Sequence, residues 1–264
     1  MNIIVCVKAV LDPDLPPVRF AIDRKNKLVV PPEGMPYVIN PYDALAVEAA
    51  VRIKEKEGGH ITVIGLGDKS WDVVIRKTLA MGADEAAIIC DPAFTGADSF
   101  ETAYILTKAV QKIGSFDLIL CGRQASDWDN GVVGSIMAEY LDLPMVTRIK
   151  GVEVTGNKLM VQRAIMNGNE TYELDLPALL TVSNEFGQAR IPLGRGIIMA
   201  ARKNIPLWNL SDLGCDAARV GADAVKNKIH DIYLPSYERK CEMVTGTDLS
   251  GAVDRLAKIV VSSC

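Results

Sequence analysis

The chain has 264 residues, 49% of them hydrophobic and 23% charged, with a formal net charge of -4. That is globular composition, long enough for one large domain with an appendage or for two small ones, and it lacks the broad basic field of a nucleic-acid binder. His60 and His230 are the only imidazoles, which excludes a His-rich metal site, and no run approaches the ~20 apolar residues of a membrane span. The cysteines Cys6, Cys90, Cys121, Cys215, Cys241 and Cys264 show no C-x-x-C pair, so a reduced, cytoplasmic chain is expected, and MNIIVCVK enters a strand with no charged leader, so a soluble, unprocessed one.

In chain order, residues 2–7 read as the first strand. Residues 41–57 read as a helix with Ala44, Val47 and Val51 on one face, Asn40 as its cap, Pro41 at the first helical position and Gly58-Gly59 at its end. A strand over 60–66, a helix over 70–81 stopped by Gly82, and a strand over 85–90 follow. Residues 98–113 are helical, with Ala103, Leu106, Val110 and Ile113 in a stripe, and 116–121 form an apolar strand ending on Gly122. Val133, Ile136, Met137, Tyr140 and Leu141 then fall at helical spacing, with Asn130 as a natural cap. Such regular alternation predicts right-handed βαβ units and a doubly wound, mostly parallel, Rossmann-like sheet.

After Leu141 the pattern changes. Short segments at 152–154, 159–163 and 171–174, separated by Thr155-Gly156-Asn157 and Asn167-Gly168-Asn169, predict an antiparallel extension, and Pro177 leads into a strand over 178–182. A Gly- and Arg-bearing loop with a short basic helix runs to Pro206. Residues 1–206 are therefore expected to form the α/β domain and 207–264 a tail that packs on a partner, its last segment carrying the stripe Val253, Leu256 and Val260.

The stretch DLILCGRQASDWDNGVVGSIMAEYLDLP, residues 117–144, is a strand, a Gly- and Asp-rich turn and a helix. The free N–H groups of residues 131–134 would face the carboxyl end of the strand, where helix N-termini in open sheets receive phosphate. Strand-to-helix turns need Gly and Asp anyway, and the loop alone leaves binding and mere turning evenly matched. Asp127 and Asp129 read as turn-shaping residues, Arg123 as a match for pyrophosphate or a surface ion pair, and Trp128 as a packing residue at the tip.

Six segments in order, NIIVCVKAVLDP, INPYDALAVEAAVRIKE, LAMGADEA, GRQASDWDNGVVG, PALLTV and ARIPLGRGIIMAARKNIP, together resemble the beta (small) subunit of electron transfer flavoproteins. The resemblance implies a heterodimer with an alpha subunit that carries an FAD of its own, and an acyl-CoA-type dehydrogenase or a membrane quinone reductase as electron partner. It implies an adenine nucleotide on this chain, held by Ala9, by Asn40, Pro41, Tyr42 and Asp43, by Leu66, and by Gly122, Arg123, Gln124, Ala125, Ser126, Asp127, Trp128, Asp129, Asn130, Gly131, Val132, Val133 and Gly134. It implies partner recognition by Arg190, Leu193 and Arg195.

The nucleotide is AMP in simple carriers and a second FAD in electron-bifurcating ones. CDPAFTGADSFETA resembles the bifurcating members, which would bring Phe94, Asp98 and Ser99 near a flavin, and FAD is favoured; the same residues also suit an ordinary helix entry. Two departures bear on the partner: Ala164 stands where the family usually has an acidic residue, and the exposed Leu of the recognition loop falls one position early, at Leu193. An enzyme with a Walker-type phosphate loop is excluded by the absence of G-x-x-x-x-G-K-[ST]. A nucleotide-sensing stress-type protein remains as an alternative of another class, although it would need neither the long tail nor the GRGIIMAARK loop.

Overall fold

The computed structural model describes residues 1–16, 21–25, 27–30, 32, 34–234, 241, 243–244 and 248–262; Cys264 lies outside them. Strands β1 (Asn2–Val7), β2 (Ala9–Val10), β3 (Ala21–Asp23), β4 (Leu28–Val30) and β5 (Val38–Ile39) lead into helix α1 (Pro41–Glu57). Then come β6 (His60–Leu66), α2 (Asp72–Met81), β7 (Glu85–Ile89), α3 (Ser99–Ile113), β8 (Leu118–Gly122) and α4 (Val133–Leu141). The second half holds β9 (Met145–Thr155), β10 (Lys158–Ile165), β11 (Gly168–Asp175), β12 (Ala178–Val182), α5 (Gly194–Ala201), β13 (Leu207–Trp208), α6 (Leu210–Leu213) and α7 (Leu249–Ser262).

Nine strands form one sheet in the order β11-β10-β9-β12-β8-β1-β6-β7-β13. From β9 to β13 every pairing is parallel, and β10 and β11 extend the sheet antiparallel at the β9 edge. The continuous apolar runs are what a strand covered on both faces requires. Along β1, Ile3, Val5 and Val7 pack with α1 and α2 on one face, while Ile4 and Cys6 pack with α3 and α4 on the other. Each such fully buried aliphatic side chain is worth about 1.5–3 kcal/mol. The expected doubly wound α/β architecture is therefore the one observed.

Several local expectations shift. α1 is buried along far more than a single stripe, from Leu45 through Val51, because it lies over β8, β1 and β12 at the middle of the sheet. α2 starts later than residue 70, since Asp68 caps a short 3-10 turn at Lys69–Trp71 that precedes it. α4 begins at Val133 after Val132, and Asn130 does not cap it; its side-chain amide donates to Ser99 Oγ at 3.2 Å instead. Of the α4 stripe Met137 is buried, but Tyr140 is exposed at its outer end. The antiparallel strands are longer than their apolar cores, because β9 starts at Met145 as a parallel partner of β12 before turning out into the extension.

The boundary at 206 also falls inside the packed body. β13 pairs with β7, and Leu213, Cys215 and Val220 are buried in the core beneath α3. By contrast α7 buries no residue; Val253, Leu256 and Val260 are each more than half exposed. Ile197, Ile198 and Met199 of α5 are likewise more than half exposed. Among the described residues no helix is long and apolar enough to cross a membrane, and no His/Cys/Asp/Glu cluster could hold a metal ion.

Candidate functional site

The carboxyl ends of β1 and β8 and the amino end of α1 meet at one edge of the sheet, and two side chains of α1's entry hold them together. Asn40 is 1% exposed; its Nδ2 donates to the Gln124 carbonyl at 2.8 Å and its Oδ1 accepts the Ser126 N–H at 3.1 Å. The expected cap residue therefore sits at the cap position without capping α1, its amide being turned to the loop after β8. Asp43 is 6% exposed and reaches the two strand ends: Oδ2 accepts the Lys8 N–H at 2.7 Å and Oδ1 the Gly122 N–H at 3.0 Å. Gly122 has to be glycine here, since a Cβ would lie 2.3 Å from Asp43 Oδ1 and 2.8 Å from the Tyr42 carbonyl carbon.

The loop itself is a chain of short polar contacts. Arg123 donates through its backbone to the Val182 carbonyl at 2.9 Å and through Nε to Gln124 Oε1 at 2.9 Å, and its guanidinium lies 5.3 Å over the Tyr42 ring. Gln124 Nε2 donates to Asp129 Oδ1 at 2.7 Å, and the Asp129 N–H returns to the Ala125 carbonyl at 2.9 Å. Asp129 and Gly131 both sit in the left-handed region, with φ of 51° and 63°, which turns the chain back toward α4. Lys8 Nζ reaches across to the Asp127 carboxylate at 2.6 Å. Trp128 at the tip is about half exposed, its backbone N–H donating to the same Ala125 carbonyl at 3.4 Å.

Within this frame, the amides of Val132, Val133 and Gly134 precede the first helical hydrogen bond of α4, from Ile136 to Val132, and lack a partner among the described residues. The Ser126 hydroxyl is buried and also without a partner. Unpaired donors of this kind fit the phosphate and ribose oxygens of a nucleotide. Arg123 and Lys8 supply positive charge beside them, and the AMP or FAD implied by the sequence resemblance matches this donor set.

The sequence-expected residues divide accordingly. Asn40, Asp43, Gly122 and residues 123–133 converge on this edge, Asn40, Asp43 and Gly122 as its buried supports. Pro41 is exposed and Tyr42 half-buried on the same turn. Ala9, 4% exposed in β2, and Leu66, packed on the core at the end of β6, can offer only backbone. Gly134 is buried for packing, because a Cβ there would lie 2.9 Å from Thr181 Cγ2. Phe94 is 6% exposed in the core under α3. Asp98 caps α3 through the Glu101 N–H and also accepts the N–H groups of Lys226 and Asn227. Ser99 is joined to the loop by Asn130. The buried Ser126 hydroxyl had no sequence signal beyond its place in the loop.

In the second loop, Leu193 is 80% exposed and Arg195 is exposed at the start of α5. Arg190 faces inward instead. It binds Glu48 at 2.7 Å and Glu55 at 2.5 Å. Burial pushes the Glu48 carboxyl up, but Arg190 and Arg52 more than offset it and hold it below the usual glutamate range.

The family model for the electron transfer flavoprotein domain matches residues 27–213. A protein from Thermoanaerobacterium thermosaccharolyticum described as electron transfer flavoprotein subunit beta is 42% identical, the match covering 98% of this chain and 97% of the relative. Subunit CarD of the caffeyl-CoA reductase-Etf complex of Acetobacterium woodii is 37% identical over 95% of this chain and 94% of its own length. Protein FixA of Azorhizobium caulinodans is 32% identical over 95% and 89% respectively.

Proposed function

The chain belongs to the electron transfer flavoprotein family as a beta subunit, and from that premise we propose that the edge built by Asn40, Asp43 and residues 122–134 holds an adenine nucleotide, FAD in preference to AMP. The observation that carries this reading is the buried, unpartnered Ser126 hydroxyl in the same strand-to-helix loop as the amides of Val132, Val133 and Gly134, which find no partner among the described residues. Electron transfer between flavins asks no acid, base or nucleophile of the protein. The bound flavin supplies the redox chemistry; the chain's part is to grip phosphate and ribose, fix the loop and exclude water.

AMP has one specific observation in its favour. Phe94 lies in the core and the Asp98 carboxylate is occupied by three backbone N–H groups, so the segment that suggested a flavin has structural work of its own. The partners follow from the family. Beta subunits of this family pair with alpha subunits, and the uncovered faces of α5 and α7, with Leu193 and Arg195 beside them, are the surfaces we assign to the alpha subunit and to a dehydrogenase or quinone reductase. The part of the 207–264 tail that makes this contact is its last helix, Leu249–Ser262, since β13 and residues 213–220 are committed to the main body. Family membership displaces the stress-type reading.

The test is a visible spectrum and nucleotide analysis of the purified heterodimer. Two flavins per complex support FAD and a bifurcating type, and one flavin with one AMP supports the simple carrier. A complex with no adenine nucleotide beyond the alpha subunit's flavin would overturn the assignment of this edge.

A further inference from the structure

Asp43 ties the carboxyl ends of β1 and β8 to the first turn of α1, holding Gly122 where the loop assigned above to phosphate begins, and both its oxygens are spent on backbone N–H groups. The groups facing it are few. The residue after β1 presents the Lys8 ammonium, β1 the buried Cys6 thiol, and β8 the Cys121 thiol, register partner of Cys6. From the loop, the Asp127 carboxylate holds the Lys8 ammonium at 2.6 Å, and the Arg123 guanidinium stays on the Tyr42 ring. α1's entry adds Asn40 and Tyr42. Among the described residues no cation forms an ion pair with Asp43.

Burial pushes the Asp43 carboxyl up to about 7, against the N–H groups of Lys8 and Gly122, the Asn40 side chain and the Lys8 charge, which pull it down. Because this folded value lies above the ordinary one, the folded chain binds the extra proton. The carboxyl therefore lowers stability progressively as pH rises from the ordinary aspartate range to about 7, and adds no further change above it.

We propose that Asp43 takes up a proton when an anionic nucleotide settles on this edge, so that nucleotide binding and protonation of the chain are linked. An anion placed over a buried carboxylate makes its charge costlier to keep, and a phosphate drawing on Lys8 weakens the one opposing charge nearby. The neutral carboxyl still accepts one of the two backbone N–H groups through its carbonyl oxygen, so protonation keeps one strand end fully tied and weakens the tie to the other. Reciprocity then requires tighter nucleotide binding as pH falls toward 7 from the alkaline side. This rests on the nucleotide reading of the edge and adds its pH dependence.

The experiment is calorimetric titration of the heterodimer, stripped of nucleotide on this chain, with ADP-ribose, whose diphosphate exchanges no proton near neutrality. Runs just above neutral pH in buffers of different ionisation heat should give buffer-dependent heats reporting uptake of a fraction of a proton. Affinity should rise as pH falls toward 7 and level off below, with a slope no steeper than about tenfold per pH unit. Asp43→Asn should lose both effects; if that variant does not fold, the unmodified complex still decides. Binding with buffer-independent heats and flat affinity would overturn the proposal, as would an unchanged slope in Asp43→Asn. No binding of ADP-ribose at any pH would overturn the nucleotide reading itself.

Discussion

Replacing Gly122 with alanine should loosen the whole edge, although it adds only one methyl group. The new Cβ would stand 2.3 Å from Asp43 Oδ1 and 2.8 Å from both Asp43 N and the Tyr42 carbonyl carbon. Two of those atoms are backbone in the buried first turn of α1 and cannot swing aside. Overpacking of this kind costs about 1–3 kcal/mol. Displacing the carboxyl from the Gly122 N–H removes a hydrogen bond to a charged or half-charged group, worth about 1.5–3 kcal/mol. The sum, about 2.5–6 kcal/mol, is a large fraction of the ~5–15 kcal/mol that holds a domain folded. Gly151→Ala is the control, because its Cβ would meet nothing nearer than Gln162 Oε1 at 3.6 Å, an ordinary contact. Urea unfolding of the two variant heterodimers, with nucleotide content measured on each, gives the comparison. If Gly122→Ala unfolds within about 0.5 kcal/mol of Gly151→Ala, a spread typical of neutral substitutions, the clasp at Asp43 does not bear on stability and the reasoning fails.

Asn40→Ala removes the hydrogen bonds to the Gln124 carbonyl and the Ser126 N–H, so it should cost about 1–3 kcal/mol and raise hydrogen exchange in residues 123–131; unchanged exchange would refute the clasp. Gly131→Val should strip the nucleotide, since it forces a branched side chain into the left-handed region at φ 63°, whereas Trp128→Ala should leave nucleotide content intact. Arg190→Ala leaves Glu48 with Arg52 alone and should cost about 2 kcal/mol at neutral pH. Because the Glu48 carboxyl is held low in the folded chain, that stability is present above the ordinary glutamate range and disappears as pH falls through it, so the variant and the parent should converge in acid. Expressed without an alpha subunit, the chain should aggregate or show fast exchange along Leu249–Ser262; a soluble monomer with that helix protected would show that it packs on its own body.

The parallel sheet was legible because its strands are short, continuously apolar and separated by capped or glycine-stopped helices, patterns that local sequence expresses directly. Asp98 was readable as a cap for the same reason. Asn40 and Asn130 carry a cap signal without capping, because that signal says only that an amide sits before a helix. Which acceptor that amide finds depends on a loop about 85 residues away for Asn40, from Asn40 to Gln124, and on α3 for Asn130. That Gly134 must lack a side chain is set by Thr181 of β12, which fills the space a Cβ would need, a neighbour no local pattern names. Arg190 was read as a guide for partners because its carboxylate partners lie on α1, more than a hundred residues earlier. The short β13 was hidden because two residues carry no period.

The place of β1 in the sheet bears on how the chain is made. It is synthesised before both of its neighbours, β6 and β8, so one flank stays open until residues 60–66 are made and the other until 118–122. Until then Ile3, Ile4 and Val5, 0–1% exposed in the finished protein, have only transient company. Parallel pairing over such separations is slow and leaves unpaired strand edges exposed in the meantime. The nucleotide edge, assembled from Lys8, Asn40, Asp43 and residues 122–126, cannot exist before that second pairing closes. On the proposed assignment of this edge, ligand capture is thereby confined to chains whose central strand has found both neighbours, and a loaded subunit is one that has already closed its longest-range central pairing.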